Sequence, residues 1–154
     1  MKATIDTFYA AFQNQDAETM VACYHKDIQF EDPAFGVLKG ERACDMWRML
    51  ITSQKGKDFN VSFSDTAFDG EKGTAHWEAI YTFSKTGRKV HNKINATMEF
   101  KEGKIIKHID DFNLHSWAKQ AMGLKGWLLG GTGFFKKKLN AQTNGMLDKF
   151  IAKK

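Results

Sequence analysis

The segment Phe30-Glu31-Asp32-Pro33 places a carboxylate where it could act as a base. In a β-strand, Phe30 and Asp32 share one face, so Asp32 points inward if Phe30 packs in the core, while Glu31 faces water. Burial raises the pKa of a carboxyl group, which makes an aspartate a competent general base near neutral pH. The alternative is that Asp32 caps the turn at Pro33 or the following helix, since Asp before Pro is ordinary turn chemistry.

A second candidate is the pattern His108-x-Asp110-x-Phe112. A period of two places all three side chains on one face of a strand, and Phe112 indicates that this is the inner face. An inward histidine beside an inward carboxylate can transfer a proton at physiological pH. The two residues could instead form a structural pair, because buried charged groups are normally paired whether or not they take part in chemistry.

Metal and nucleotide chemistry find little support in the sequence. The five histidines show neither HExxH nor Cys/His metal spacing. Only Asp32, His108 and Asp110 could assemble a metal site, and two or three ligands of these types would also suit non-haem iron. There is no GxGxxG, P-loop or GxSxG motif, and the glycine-rich stretch 130–133 follows no predicted strand, so we interpret it as a hinge. We therefore expect neither a metal nor a cofactor.

Aromatic residues make up 13% of the chain, with 13 Phe and 4 Trp. Those on predicted inner faces would suit a pocket for a small, flat, apolar ligand, although such a stripe is more often core packing. The candidate substrate-binding residues are Phe8, Tyr9, Phe12, Phe30, Phe35, Trp47, Trp77, Tyr81, Met98 and Phe112.

Apolar periodicity predicts the elements that must position these residues. Helical spacing predicts a helix over about 3–14, a short second helix that Asp16 caps and that carries Tyr24 on its apolar face, and a third helix from Gly40 to about Ser53. A short strand ends at Pro33 and is followed by a turn through Phe35-Gly36. Four more strands, separated by Asp-Gly, Thr-Gly and Glu-Gly turns, are predicted near 59–68, 73–84, 89–101 and 104–113. The sequence therefore predicts an α+β domain whose curved antiparallel sheet packs on three N-terminal helices and leaves a ligand pocket at its open end.

The formal charge of +5 is concentrated in the C-terminal part of the chain. Residues 123–154 contain seven lysines and one acidic residue, Asp148, a balance of +6 that leaves −1 for residues 1–122. A nucleic-acid-binding body is therefore not expected. Helical spacing from Phe135 to Phe150 predicts a final amphipathic helix. We thus divide the chain into a domain at 1–122 and a basic amphipathic helical extension at 123–154.

Two interpretations of this extension stay open. It folds back on the domain or on a sister subunit, or it lies on an anionic membrane surface through residues 123–154, where Trp127 and Phe134 stand near the Lys136-Lys137-Lys138 run. The N-terminus meets an acid at Asp6 before any apolar run, and the two cysteines lack CxxC spacing. Together these features predict a cytoplasmic protein.

The sequence resembles the nuclear transport factor 2-like superfamily, in particular its SnoaL-like and ketosteroid-isomerase-like branches. The matching pieces are Phe8-Tyr9-Ala10-Ala11-Phe12 followed by Asp16, Phe30-Glu31-Asp32-Pro33 followed by Gly36 and Gly40, the Gly103-Lys104-Ile105 hairpin, and His108-x-Asp110. The resemblance implies a cone-shaped sheet and a homodimer. It covers most of the chain and says little about activity, because this fold hosts several unrelated functions.

Residue by residue, the resemblance carries over only in part. Asp32 matches the general base of the isomerases, but their oxyanion-hole tyrosine falls on Phe8, next to Tyr9, and their protonated aspartate falls on Ala96. His108 and Asp110 stand where SnoaL-like cyclases carry an acid/base pair. The arginine that limonene epoxide hydrolases need between two aspartates has no counterpart on the relevant strands.

These observations lead to two functional hypotheses. The first is a cofactor-independent isomerase- or cyclase-like enzyme acting on a small apolar carbonyl compound, with Asp32 as base and with His108 and Asp110 as proton relay or electrophile. The second is a non-catalytic small-molecule-binding or protein-interaction module of the same fold, in which the acids are structural.

Overall fold

The computed structural model describes all residues from Met1 to Lys154 as six helices and six strands. The helices are α1 (Lys2–Gln13), α2 (Ala17–Ala22), α3 (Glu41–Gln54), α4 (Leu114–Met122), α5 (Leu124–Leu129) and α6 (Gly133–Ala152). The strands are β1 (Tyr24–Asp32), β2 (Gly36–Lys39), β3 (Phe59–Phe68), β4 (Lys72–Phe83), β5 (Arg88–Lys101) and β6 (Lys104–Asp111). No helix is long and apolar enough to cross a membrane.

The six strands form one curved sheet in the order β2-β1-β6-β5-β4-β3. Neighbouring strands are antiparallel, as the sequence predicts, except that β1 and β6 run parallel. Parallel pairing needs a long crossover connection, and residues 33–103 supply one. The two strands that carry the candidate acids are therefore direct neighbours that run in the same direction.

One face of the sheet packs against α1 and α3 around a core of 24 buried residues. From α1, Ile5, Phe8 and Phe12 are fully buried, which confirms the helical spacing read from the sequence. From α3, Trp47 packs edge-to-face on Phe12 and Phe30, with ring centroids 5.1 and 5.5 Å apart. Aromatic pairs of this kind contribute about 0.5–1.5 kcal/mol beyond the burial of their area. Side chains of the helices thus fill the interior of the sheet.

Local polar chemistry sets the predicted start of α2 and corrects its predicted end. The Thr19 N–H donates to Asp16 Oδ1 at 3.0 Å, which confirms Asp16 as the N-cap. Tyr24, however, begins β1 instead of lying on the helix, because α2 ends at Ala22. The hydroxyl of Tyr24 is held in the core by the Trp47 indole, a contact that a local pattern does not reveal.

Three elements have no counterpart in the sequence prediction. The four-residue strand β2 begins at the segment expected as a turn. Only Leu38 of this strand is buried, so the alternation of buried and exposed residues is too short to recognise in the sequence. Residues 114–129 form α4 and α5. The buried side chains of α4 are Ala118 and Ala121, and such small residues produce a weak apolar signal.

The last helix, α6, lies against the domain. Leu147 is fully buried in the common core. Arg42 of α3 donates to Asp148 Oδ1 at 2.7 Å and to Asn144 Oδ1 at 2.9 Å. Lys154 pairs with Asp45 at 2.8 Å. The extension is thus joined to α3 by both apolar and ionic contacts.

Candidate active site

Asp32 lies at the end of β1, with its side chain partly buried. Its Oδ1 accepts the backbone N–H groups of Ala34 at 2.9 Å and Phe35 at 2.7 Å, while Oδ2 makes no hydrogen bond to the protein. The residue therefore caps the turn, as one sequence interpretation predicts, and is also partly buried, in the direction that the other predicts.

The environment of Asp32 raises the pKa of its carboxyl group. Burial, opposed by the hydrogen bond from the Phe35 N–H and assisted by the negative charge of Asp110, raises the pKa of Asp32 to about 7. Both protonation states of Asp32 are consequently populated at neutral pH. A general base that must also return the proton works best under this condition.

His108 belongs to a buried chain of hydrogen bonds. Its Nδ1 lies 2.7 Å from the Tyr24 hydroxyl, and its Nε2 lies 2.9 Å from Asp110 Oδ1. The Trp47 indole N–H donates to the Tyr24 oxygen at 2.8 Å, and the Trp77 indole N–H donates to Asp110 Oδ1 at 3.2 Å. All donors in this hydrogen-bonded chain find acceptors when the Tyr24 hydroxyl donates to His108 Nδ1 and the N–H at Nε2 donates to Asp110 Oδ1.

The two residues of the His108-x-Asp110 pattern differ in their free hydrogen-bonding capacity. Both ring nitrogens of His108 are engaged by protein groups, and the side chain is fully buried. The proton-relay role predicted for His108 would therefore act through Asp110 and not by contact with a ligand. His108 orients Asp110 and stabilises its Oδ1.

Two polar atoms near this chain are buried and have no hydrogen-bond partner, namely Asp110 Oδ2 and the Tyr9 hydroxyl oxygen. Burial raises the pKa of Tyr9 well above its usual value, and the charge of Asp110 adds to the effect. Tyr9 therefore stays a neutral O–H donor. Nearly all buried polar groups in proteins are paired, so these two atoms are exceptions and are candidates for hydrogen bonds to a ligand.

The parallel register brings Asp32 next to Asp110. Phe30 is paired with His108, and Glu31 with Ile109. One step further along both strands, Asp32 and Asp110 follow on the same face, since side chains alternate with a period of two. The two carboxyl groups thus come together because the strands run in the same direction.

The candidate substrate-binding residues are mostly core residues. Seven are buried: Phe8, Tyr9, Phe12, Phe30, Trp47, Trp77 and Met98, whereas Phe35, Tyr81 and Phe112 are partly exposed. The rings of Phe8, Phe30 and Trp47 surround the His108 imidazole at centroid distances of 5.4, 5.2 and 6.1 Å. These contacts are those of a packed core, and a direct role in substrate binding stays a prediction.

Tyr81 is not brought to the acids. The pairing of Ala75 with Ala96, and of Ala96 with Asp110, locates the acid cluster near Ala75 on β4. Tyr81 lies six residues further along this strand, roughly 20 Å away at the usual rise per residue. Its hydroxyl accepts the indole N–H of Trp117 at 2.7 Å.

Two surface depressions lie away from the acid cluster. One, of about 360 Å³, is bordered by residues of α2, α3 and α6, among them Asp16, Arg48 and Phe150. The other, of about 390 Å³, is lined by Arg88, Lys119, Gly123, Leu124 and Trp127. Neither includes Asp32, His108 or Asp110.

Helix α6 covers the turn that holds Asp32. The side chain of Asn140 donates to the carbonyl oxygens of Pro33 and Ala34 at 2.8 and 3.0 Å. Thr143 donates to Ala34 O at 2.8 Å, and Asn144 donates to Phe35 O at 2.9 Å. We call these three side chains the α6 latch.

The α6 latch contributes to the site and was missed by sequence reasoning. Gly36 permits the close approach of the helix, because a Cβ at this position would lie 2.9 Å from Asn140 Oδ1. Polar residues three or four positions apart on a helix normally face solvent, so nothing in the pattern indicates a backbone partner more than 100 residues earlier in the chain.

Sequence comparison establishes the family. The model of the SnoaL-like domain matches residues 5–108, about two thirds of the chain. The chain therefore belongs to the SnoaL-like family, within the nuclear transport factor 2-like superfamily. No curated protein matches the sequence significantly.

Solved structures share the fold at low sequence identity. TerC, co-crystallised with polyporic acid, is similar with a TM-score of 0.65 at 15% identity, over 77% of this chain and 95% of TerC. A provisionally assigned polyketide cyclase from Xanthomonas campestris has a TM-score of 0.61 at 18% identity, over 77% of this chain and 93% of that one. An LEH-like epoxide hydrolase of M. tuberculosis has a TM-score of 0.59 at 21% identity, over 83% of this chain and 89% of that one. At these identities the comparisons define the fold.

Proposed function

We propose that this protein is a cofactor-independent enzyme that moves a proton at a carbon next to a carbonyl group in a small, largely apolar compound. The observation that carries the proposal is the state of Asp32. Two backbone N–H groups hold one of its oxygens, the other has no protein partner, and burial raises its pKa to about 7. A carboxylate in this state combines a fixed position with a basicity suited to neutral pH.

The neighbouring groups complete the chemistry of such a transfer. The Asp32 carboxylate takes the proton from carbon, and the C–H electron pair moves toward the carbonyl, whose oxygen gains negative charge. The unpaired Tyr9 hydroxyl donates to this oxygen, and the free Oδ2 of Asp110 accepts from a hydroxyl group of the substrate. Asp32 then returns the proton to another carbon and becomes a carboxylate again, so the step balances.

An epoxide hydrolase activity of the limonene type is less favoured, because the arginines are engaged elsewhere. Arg42 pairs with Asp148 on α6, and Arg48 pairs with Glu18, Glu41 and Asp45. Arg88 donates to Gln120 O. None of them hydrogen-bonds to Asp32 or Asp110.

The proposal can be tested before the substrate is known. In deuterated water, NMR measures the exchange of protons next to the carbonyl of simple ketones, 1,3-diketones and cyclic enones, which reports proton abstraction whatever the final reaction. We expect the protein to accelerate exchange for part of this panel. Asp32→Asn should lower the rate by about 100-fold or more, in the range found for loss of a general base.

Glu31→Gln is the matched control. Glu31 is the neighbouring carboxylate, it lies on the opposite face of β1, and its replacement should leave exchange unchanged. Tyr9→Phe should slow exchange while the protein stays folded. Exchange that survives in Asp32→Asn, or that falls equally in Glu31→Gln, would contradict the assignment of Asp32 as base.

A non-catalytic binding module of the same fold is the second candidate. It is favoured by the buried series of hydrogen bonds that runs from Trp47 through Tyr24, His108 and Asp110 to Trp77. Both ring nitrogens of His108 have protein partners in this series, which is typical of a structural histidine. In this case Asp110→Asn would change thermal stability more than the affinity for any bound compound. Thermal unfolding and calorimetric titration of the same variant separate the two candidates.

A further inference from the structure

Helix α5 is built with its small residues inward and its large apolar residues outward. A Cβ at Gly126 would lie 1.9 Å from the Ala118 carbonyl oxygen, and one at Gly130 would lie 2.5 Å from Ala118 Cβ, so glycines form the contact with α4. Leu124, Trp127 and Leu128 are 71%, 50% and 61% exposed. The apolar side chains of this helix therefore contribute little to the core.

The exposed apolar residues are concentrated in one short part of the chain. Of nine large hydrophobic residues exposed in the whole protein, five lie between positions 124 and 134. We call them the α5 patch: Leu124, Trp127, Leu128, Leu129 and Phe134, the last of which is 72% exposed. Scattered exposed hydrophobic residues are normal, whereas a concentration of this kind marks an interaction surface.

The segment of the chain that carries the α5 patch has charges of one sign. From Phe112 to Leu147 the sequence contains no Asp or Glu. Lysines at positions 119, 125, 136, 137 and 138 lie in this stretch, and all five are exposed. Arg88 and Lys119 also line the 390 Å³ depression together with Leu124 and Trp127. These charges favour a partner of the α5 patch that is both apolar and anionic.

We propose that the α5 patch binds the surface of an anionic lipid bilayer. Trp and Phe side chains are favoured at the boundary between headgroups and acyl chains, and lysines beside them gain about 1 kcal/mol each near anionic headgroups. A second copy of this chain fits less well, because two such patches would bring ten lysines together without an acidic residue in either stretch. The surface is separate from Asp32 and Asp110 and does not depend on their chemistry.

Sedimentation with vesicles tests the proposal on the full chain. Vesicles of phosphatidylcholine with phosphatidylglycerol should carry the protein into the pellet at low salt, whereas phosphatidylcholine alone should not. Added salt should weaken binding, because ion screening shortens the reach of the lysine charges. Replacing Lys136, Lys137 and Lys138 together by Gln should lower the partition coefficient roughly 100-fold.

Apolar insertion is tested with a pair of matched variants. Leu124→Ser with Leu128→Ser removes two outward side chains and should weaken vesicle binding at least about tenfold without lowering stability. Val37→Ser with Ile80→Ser removes two exposed side chains outside the α5 patch and should bind as the wild type does. Both proteins are compared at equal helix content, measured by circular dichroism.

Tryptophan fluorescence reports which residue meets the lipid. Trp127 is the exposed tryptophan, while Trp47 and Trp77 are buried and Trp117 is partly buried. Brominated lipid should quench the wild type, and Trp127→Phe should lose this quenching but still sediment with vesicles. If the protein fails to sediment with anionic vesicles at low salt, the proposal is overturned. The proposal is also overturned if the Leu124→Ser/Leu128→Ser variant binds vesicles as tightly as the wild type, or if the wild type self-associates and this variant does not.

Discussion

Replacing Asp32 with Asn should stabilise the protein at pH 8 and leave its stability near pH 4 unchanged. The folded protein holds the pKa of Asp32 at about 7, against 3.8 for an unperturbed aspartate. Between these values the folded state keeps a proton that the unfolded state releases, so wild-type stability falls as the pH rises. The loss is about 1.4 kcal/mol for each pH unit and about 4 kcal/mol over the whole interval.

Asparagine removes this titration and retains the structure of the turn. Its carbonyl oxygen can accept the N–H groups of Ala34 and Phe35 that Asp32 Oδ1 accepts in the wild type. Urea unfolding, followed by tryptophan fluorescence at successive pH values, gives the difference in free energy of unfolding between variant and wild type. This difference should grow from near zero at pH 4 to about 4 kcal/mol at pH 8.

The same titration should appear in activity. Proton abstraction needs the carboxylate form, so the exchange rate of the wild type should rise with pH and level off above about 7. Glu31→Gln should keep this pH dependence of stability and rate, moved slightly to lower pH because the Glu31 charge makes the smallest contribution to the raised pKa of Asp32. A stability difference that does not change with pH, or an Asp32→Asn protein that is less stable than the wild type at pH 8, would refute the raised pKa and the argument for a base.

Three further substitutions have defined outcomes. Tyr9→Phe removes a buried hydroxyl that has no partner, so it should raise stability by about 1 kcal/mol in urea unfolding while lowering the exchange rate. His108→Leu leaves the Tyr24 hydroxyl proton without an acceptor and the Asp110 carboxylate with the Trp77 indole as its one hydrogen-bond partner, and should cost about 3 kcal/mol or more in thermal unfolding. Asn140→Ala deletes two hydrogen bonds of the α6 latch worth about 1 kcal/mol each, so amides of α6 should exchange with solvent faster while those of the core do not.

Much of the fold could be predicted because its signals are local. Ile5, Phe8 and Phe12 are three to four residues apart, so they lie on one face of a helix wherever that helix packs. Strand β3 has the predicted bounds, 59–68, and ends just before the Asp69-Gly70 turn. Strand β2 and helices α4 and α5 escaped prediction because they bury few or small residues, and periodicity is then too weak to detect.

In the candidate site, too, local contacts could be predicted from the sequence and long-range contacts could not. Alternation along a strand predicts that His108 and Asp110 share a face, and their side chains are indeed hydrogen-bonded at 2.9 Å. The contact of His108 with Tyr24 depends on the end of α2, and the neighbourhood of Asp32 and Asp110 depends on the direction of β1 relative to β6. These relations involve residues 78 to 84 positions apart, beyond the reach of any short period.

The sequence by itself determined which side chains share a face of α1 and of the long strands, where the positive charge lies along the chain and which residues could exchange a proton. Each of these properties depends on residue type and on spacing within one element. Tertiary structure alone decided that burial raises the pKa of Asp32 to about 7, that α6 covers its turn and that α5 turns Leu124 and Trp127 outward. A pKa and an exposed fraction depend on every atom nearby, and here those atoms come from distant parts of the chain.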